Sequence, residues 1–419
     1  MMRLRPSADF AKLAGGQVVS EFGSVVSSTA IPIAAVLVLH ASPLALAGIV
    51  VAGSAGVTLT SLLAGAWTDL VDRRPLMVAA DGGRAVVLAT IPVAAFAGTL
   101  RIELFYVVAF INAVLGTFFE IAYRSYLPTL VGRQRLLEAN AVLESGAESA
   151  WIVAPTAAGA LVQIVTAPVT ILIDALSFVV SALSILWIRA PEPARERRDR
   201  RPLRANIGEG IRIVWSEPSL RALLAYAVGS RLFGSFFSAL YTIYALEELH
   251  LSPLLLGIAV SAGGLAGVVG SIAGAPIARR FGLSVAILWG GGVISTIAYA
   301  PLAFAFGPPL VALSFLLFQQ LLGDFWGAAG GVARTALRQT LAPEHALGRV
   351  NSVQHLLVAG VASLGAVVGA ALAESFGLRV AVLVAVIGSA LSLAFLIASP
   401  IRAMRAAPPS VKRTAEVPA

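Results

Sequence analysis

The sequence predicts an all-α membrane protein with twelve transmembrane helices in two pseudo-symmetric six-helix bundles. Three observations lead there: the composition, the placement of the arginines and an internal repeat. Of 419 residues, 58% are hydrophobic and only 12% charged, with mean hydropathy +0.88. A soluble domain carries about 25% charged residues. Here the charge is halved, and long uncharged runs dominate. Cysteine is absent, which excludes disulfides, thiolate metal sites and cysteine nucleophiles. His40, His250, His345 and His355 are scattered without metal-ligand spacing, so no metal site is expected. No Gly-Lys dipeptide occurs, so there is no Walker A loop.

Apolar runs bounded by charge or by Pro/Gly turns set the spans in order. The first half gives Leu13–Leu39, Leu44–Trp67, Leu76–Ala97, Leu104–Phe119, Asn140–Ile164 and Val169–Ile188. The second half gives Leu223–Ala245, Pro253–Ala278, Leu283–Phe304, Pro309–Val332, Val353–Ala373 and Val380–Ile401. The corresponding domains are residues 1–190, a cytoplasmic linker over 191–220, a second bundle over 221–402 and a disordered tail over 403–419.

The basic residues fall on one side of these spans. The amino-terminal tail, the loops after even-numbered spans and the carboxy-terminal tail hold 26 of the 30 Lys and Arg. By the positive-inside rule both termini are expected in the cytoplasm. The high pI of about 10.4 then reflects topology, and a nucleic-acid partner is not expected. The longest polar stretch, Arg189–Arg204, divides the spans six and six. Beyond it, Ile207, Ile211, Val214 and Trp215 recur at helical spacing. They fit either a short amphipathic helix on the membrane surface or a solvated linker with one helical turn.

The halves echo each other. YRSYLPTLVGRQRLLEANAV from Tyr123 aligns with ARTALRQTLAPEHALGRVNSV from Ala333, matching Arg124 to Arg334, Leu127 to Leu337 and Asn140 to Asn351. GAWTDLVDRR from Gly65 has a degraded counterpart, GAPIARRFG, from Gly274. A repeated six-span unit of one orientation implies two bundles about an axis normal to the membrane, with a substrate site between them near mid-bilayer.

At these residues the chain resembles the major facilitator superfamily, and within it bacterial exporters similar to the enterobactin exporter and the macrolide efflux proteins. GAWTDLVDRR, DGGRA at Asp81, EIAYRSYLPTLV across the fourth loop, IDALSF at Ile173, EGIRIVWSEPSLRALL and GRVNSV carry the resemblance in order. Of the superfamily's loop motif Gly-x-Leu-x-Asp-Arg-x-Gly-Arg-Arg, the chain keeps Gly65, Asp69, Arg73 and Arg74. Asp69 and Arg73 are four apart and can pair on one helical face. The resemblance adds Glu120 as a third member of a conformational latch.

In the fifth span, AWIVAPTAAGAL follows the family's antiporter motif, with Ala150, Ala154 and Ala158 replacing glycines and Pro155 and Gly159 retained. Small residues there let helices approach closely. Many proton-coupled members carry an arginine four residues before a glycine in the fourth span. This chain has Asn112 before Gly116.

A charge at mid-bilayer costs roughly 2.5–3.5 kcal/mol and is a functional candidate by default. The resemblance places the first, fourth, seventh and tenth spans around a central cavity. That selects Glu21, Asn112, Arg231, Gln319, Gln320 and Asp324 as proton or substrate residues, with Arg231 and Asp324 as a potential pair. Glu21 is expected either to carry protons or to pair with Arg84. Asp81, Arg84, Glu144, Glu148 and Asp174 are secondary buried charges. Glycines spaced four apart (Gly263/Gly267, Gly270/Gly274, Gly365/Gly369) suit intramolecular helix packing.

The expected function is a non-enzymatic secondary exporter of amphipathic or hydrophobic small molecules (drug, siderophore or secondary metabolite). It would sit as a monomer in a bacterial cytoplasmic membrane, powered by proton antiport and needing no cofactor. The rival readings are an importer or uniporter of the same fold and a non-transporting receptor or scaffold.

Overall fold

The structure, a computed structural model, describes residues 8–67, 72–190, 203–343 and 346–404. No strand occurs among the described residues. Six helices come first: α1 (Ala8–Leu39), α2 (Pro43–Trp67), α3 (Arg73–Phe96), α4 (Ile102–Val131), α5 (Leu136–Val165) and α6 (Ala167–Leu186). A 14-residue helix, α7 (Leu203–Ser216), follows. Then come α8 (Pro218–Glu248), α9 (Pro253–Phe281), α10 (Val285–Phe304), α11 (Pro309–Leu341), α12 (Leu347–Phe376) and α13 (Leu378–Ile397). All except α7 are long and apolar enough to cross a membrane, twelve spans in total.

Two spans run well past the apolar stretches that mark them. α4 continues beyond Phe119 to Val131, and α11 beyond Val332 to Leu341. Charge ends an apolar run but not a helix: Glu120 and Arg124, four apart, form an ion pair along α4 and support its last turns. Gly132, at φ 75°, stops that helix, because such a conformation strains any residue with a Cβ.

The repeat is visible in the backbone. His40 closes the first span at φ 48° and His250 closes the seventh at φ 50°. Thr166, between α5 and α6, has φ 104°, and Gly377, between α12 and α13, has φ 91°. The same links between spans are thus built with the same rare left-handed residue, whatever its side chain.

Two compact units make up the described chain. The first holds α1–α6 with Ala239–Gly264 and Gly307–Leu313; the second holds α7, the rest of α8, Leu265–Phe306 and Ser314 onward. This differs from an even division at the Arg189–Arg204 stretch, because α5 offers a small-residue face to the start of α9. Residues 191–202 of the linker and 405–419 of the tail lie outside the described residues.

Within hydrocarbon there is no water to expel, so packing and polar contacts hold helices together. In the first unit, a Cβ on Gly16 would sit 2.1 Å from Ser184 Oγ, and one on Gly23 would sit 2.2 Å from Ser177 Oγ. α1 therefore lies directly on α6. Cations close the end of α6: Arg74 donates to the carbonyls of Ile185 and Leu186, and Lys12 Nζ to that of Trp187. These last-turn carbonyls lack the usual partner four residues on and carry the negative end of the helix dipole.

In the second unit, Gly365 and Gly369 seat α12 on Leu232 and Phe236 of α8, and Gly270 and Gly274 seat α9 on Phe325 and Ala329 of α11. Gly267 faces open space. α7 packs against α12: Val214 is buried with Val350 and Val353, and Glu209 pairs with Arg349. Its Ile211 and Trp215 remain exposed.

Candidate functional site

The first unit gathers its charges around Arg84. Asp81 and Arg84 sit one turn apart on α3, with Oδ1 of Asp81 3.7 Å from Arg84 Nη1. Arg84 Nε donates to Oδ1 of Asn112 on α4 at 3.0 Å, and the guanidinium lies 3.7 Å from the ring centre of Phe178 on α6. A Cβ on Gly116 would be 3.7 Å from Arg84 Cζ. The arginine absent from α4 thus has a counterpart reaching the same place from α3. Asp174 on α6, fully covered, accepts from Ser177 Oγ at 3.2 Å and adds its field to that of Asp81 at Arg84.

Glu21 on α1 forms no ion pair among the described residues. It lines a cavity of about 360 Å3 with Glu120, Arg124 and Tyr123 of α4 and Asn140 and Glu144 of α5. The charge of Arg84 reaches Glu21 only through space. Glu148, one turn beyond Glu144, is exposed outside this lining. Of the proposed latch, Asp69 lies outside the described residues. Arg73 opens α3, Arg74 is engaged at the end of α6, and Glu120 is engaged by Arg124. Gly65 falls within α2.

α5 divides its small residues between two neighbours. Ala150, Ala154 and Ala158, one turn apart, are buried against Val25 and Val26 of α1. Pro155, Thr156 and Gly159 meet Pro253–Gly264 of α9 backbone to backbone. A Cβ on Gly159 would lie 2.2 Å from Pro253 O, and one on Gly257 2.2 Å from Pro155 O. Thr156 Oγ1 donates to Ser261 Oγ at 2.8 Å and its amide to the same oxygen at 3.1 Å. The four-residue spacing in the sequence indicates close packing; the reciprocal partner on α9 is supplied only by the fold.

In the second unit, α11 carries a π-helical turn over Gln320–Asp324. Such turns shift the helical register and recur at functional sites. Gln319 is completely buried and Gln320 nearly so. Asp324 and Arg231 form no ion pair among the described residues, so the pair considered from the sequence is not made. Their separate placement follows from Arg231 lining, with Tyr226, Ser230, Phe237, Arg334 and Arg338, a cavity of about 490 Å3 in which Asp324 has no part. Arg334 and Arg338 were not singled out as site residues in the sequence; the match of Arg334 to Arg124 was the available signal.

Twelve spans among the described residues, a six-helix unit repeated along the chain and polar cavities inside the helical units fit a multi-pass membrane transporter. The chain belongs to the Major Facilitator Superfamily, whose family model matches residues 13–353. It is 30% identical over 345 residues to the multidrug efflux pump Tap of Mycolicibacterium fortuitum, covering 79% of this chain and 81% of that protein. To macrolide efflux protein A of Enterococcus faecalis it is 23% identical, over 46% of this chain and 60% of that one. Among solved structures, a bacterial homologue of the iron transporter ferroportin in its inward-facing state shares the fold. It has a TM-score of 0.71 and 19% identity, over 93% of this chain and 98% of that one.

Proposed function

We propose that this transporter exports amphipathic or hydrophobic small molecules from the cytoplasm by alternating access, in exchange for protons. It would work as a monomer in the bacterial cytoplasmic membrane with both termini inside. The observation that carries this reading is Glu21, a carboxylate on a membrane span that lines a cavity without a cation in contact. Ionised in such a place it is costly, and binding a proton removes the cost. Arg84, the neighbouring cation, is already engaged by Asp81 and Asn112, which leaves Glu21 free to gain and lose its proton. The similarity to a multidrug efflux pump supports outward transport of varied cargo. In the same account Asp69, Arg73 and Glu120 form a latch that releases as the helices rock, and the α5–α9 contact parts in each cycle.

The direct test is flux in proteoliposomes holding a panel of dyes and antibiotics under an imposed pH gradient. The account expects substrate to move opposite to protons and to build up against its own gradient. Movement only down the gradient, indifferent to the proton gradient, would establish a uniporter, and binding without flux would establish a receptor.

A further inference from the structure

The second unit contains three arginines around one cavity and no carboxylate in its lining. Arg231 stands on α8, and Arg334 and Arg338 stand one turn apart on α11. Arg334 donates from Nη1 to Gly291 O and from Nη2 to Gly327 O, both at 3.3 Å, and lies 5.3 Å from the ring centre of Tyr226. Arg338 donates from Nε to Asn351 Oδ1 at 3.1 Å and from Nη1 to Gln354 Oε1 at 2.6 Å. Arg231 is exposed to the cavity and has no ion pair among the described residues. All the recorded partners are neutral, and Arg334 and Arg338 repel one another.

The internal repeat sharpens the anomaly. In the first half Arg124 pairs with Glu120, four residues earlier. In the matching register of the second half, Arg334 is preceded by Gly330. No acid fits there: a Cβ on Gly330 would lie 2.3 Å from Gly291 Cα. The second half thus keeps the arginine and excludes its carboxylate. Arginine cannot shed its proton, so three half-covered or exposed cations share this cavity with no opposite charge in its lining.

We propose that this cavity binds the anionic group, carboxylate or phosphate, of an amphipathic molecule. Arginine forks suit such groups by geometry as well as charge, and Phe237 with Tyr299 supplies an apolar wall. The anion belongs either to the cargo, which would extend the export reading to anionic amphiphiles, or to a lipid headgroup. Because the prediction concerns binding, it stands or falls independently of transport.

The test uses the full chain in nanodiscs of phosphatidylcholine, titrated with 11-(dansylamino)undecanoate and with its methyl ester against protein-free discs. The acid should bind at least about tenfold tighter than the ester, the difference expected of charge-assisted hydrogen bonds. Arg231→Gln should weaken that preference. Gly331→Glu should abolish it while Gly331→Gln retains it, since a Cβ there faces only Arg334 Nη2, at 3.8 Å. This pair separates loss of charge from loss of fold. Repeating the titration with phosphatidylglycerol in the discs assigns the source. Loss of the acid's preference points to a lipid headgroup, and an unchanged preference points to cargo. Equal binding of acid and ester by the wild type, or a preference that survives Gly331→Glu, overturns the proposal.

Discussion

Arg84 on α3 donates from Nε to the side-chain oxygen of Asn112 on α4, at 3.0 Å. One helix thereby brings a guanidinium against Asn112 on the next, the position where the family resemblance leads one to expect an arginine. If the position of the guanidinium matters more than its helix of origin, Arg84→Asn combined with Asn112→Arg should transport within a few-fold of wild type. Either single change should be nearly inactive in dye efflux.

The same pair of helices makes a prediction about stability. Asp81 is fully covered and 3.7 Å from Arg84. Removing one partner of a buried pair costs about 3–5 kcal/mol, whereas removing both is far milder. Thermal unfolding in detergent should therefore place Arg84→Gln lowest and Arg84→Gln with Asp81→Asn closer to wild type.

Thr156 and Ser261 bring their hydroxyl oxygens within 2.8 Å across α5 and α9. That separation is short enough for a disulfide after modest side-chain rotation, and the chain has no cysteine of its own. Thr156→Cys with Ser261→Cys should cross-link under a mild oxidant and stop transport, and a reductant should restore it. Undiminished transport by the cross-linked protein would show that this contact never opens.

The loop motif yields a further mutant. Asp69→Asn should lower transport at least about tenfold at unchanged expression if its pairing with Arg73, which opens α3, guides the switch between states.

Orientation is testable by labelling. Cysteines at Ser42 and Glu248 should react with an impermeant maleimide from outside intact cells, and one at Ala415 should react only after lysis.

The spans were legible because an uncharged run of about 20 residues has one stable solution in a bilayer. Helix ends were less legible. Leu104–Phe119 stops at Glu120, yet α4 continues to Gly132, since charged residues at the water interface keep hydrogen-bonding as helix. Glu21 and Asp81 stood out because charge in hydrocarbon is rare. Which groups would meet was not readable: Arg84 engages Asn112 and Asp81 rather than Glu21, and Arg231 lines a cavity with Arg334 and Arg338 rather than pairing with Asp324. Side-chain direction depends on helix rotation, and a π-turn such as Gln320–Asp324 shifts it without any mark in the sequence. Likewise, Gly159 and Pro155 indicated close packing but not that α9 would supply Gly257 and Ser261.

The central claim is that Glu21 couples cargo to protons, and Glu21→Gln tests it most directly. The variant fixes the site in a neutral form that still accepts and donates hydrogen bonds. Reconstituted in liposomes, it should bind substrate and exchange it between equal pools on the two sides, yet fail to concentrate it under an imposed pH gradient. Its transport should lack the pH dependence that the account expects of the wild type. If Glu21→Gln still drives uphill efflux with an unchanged pH profile, Glu21 is not the proton carrier, and Asp324 becomes the carboxylate to examine.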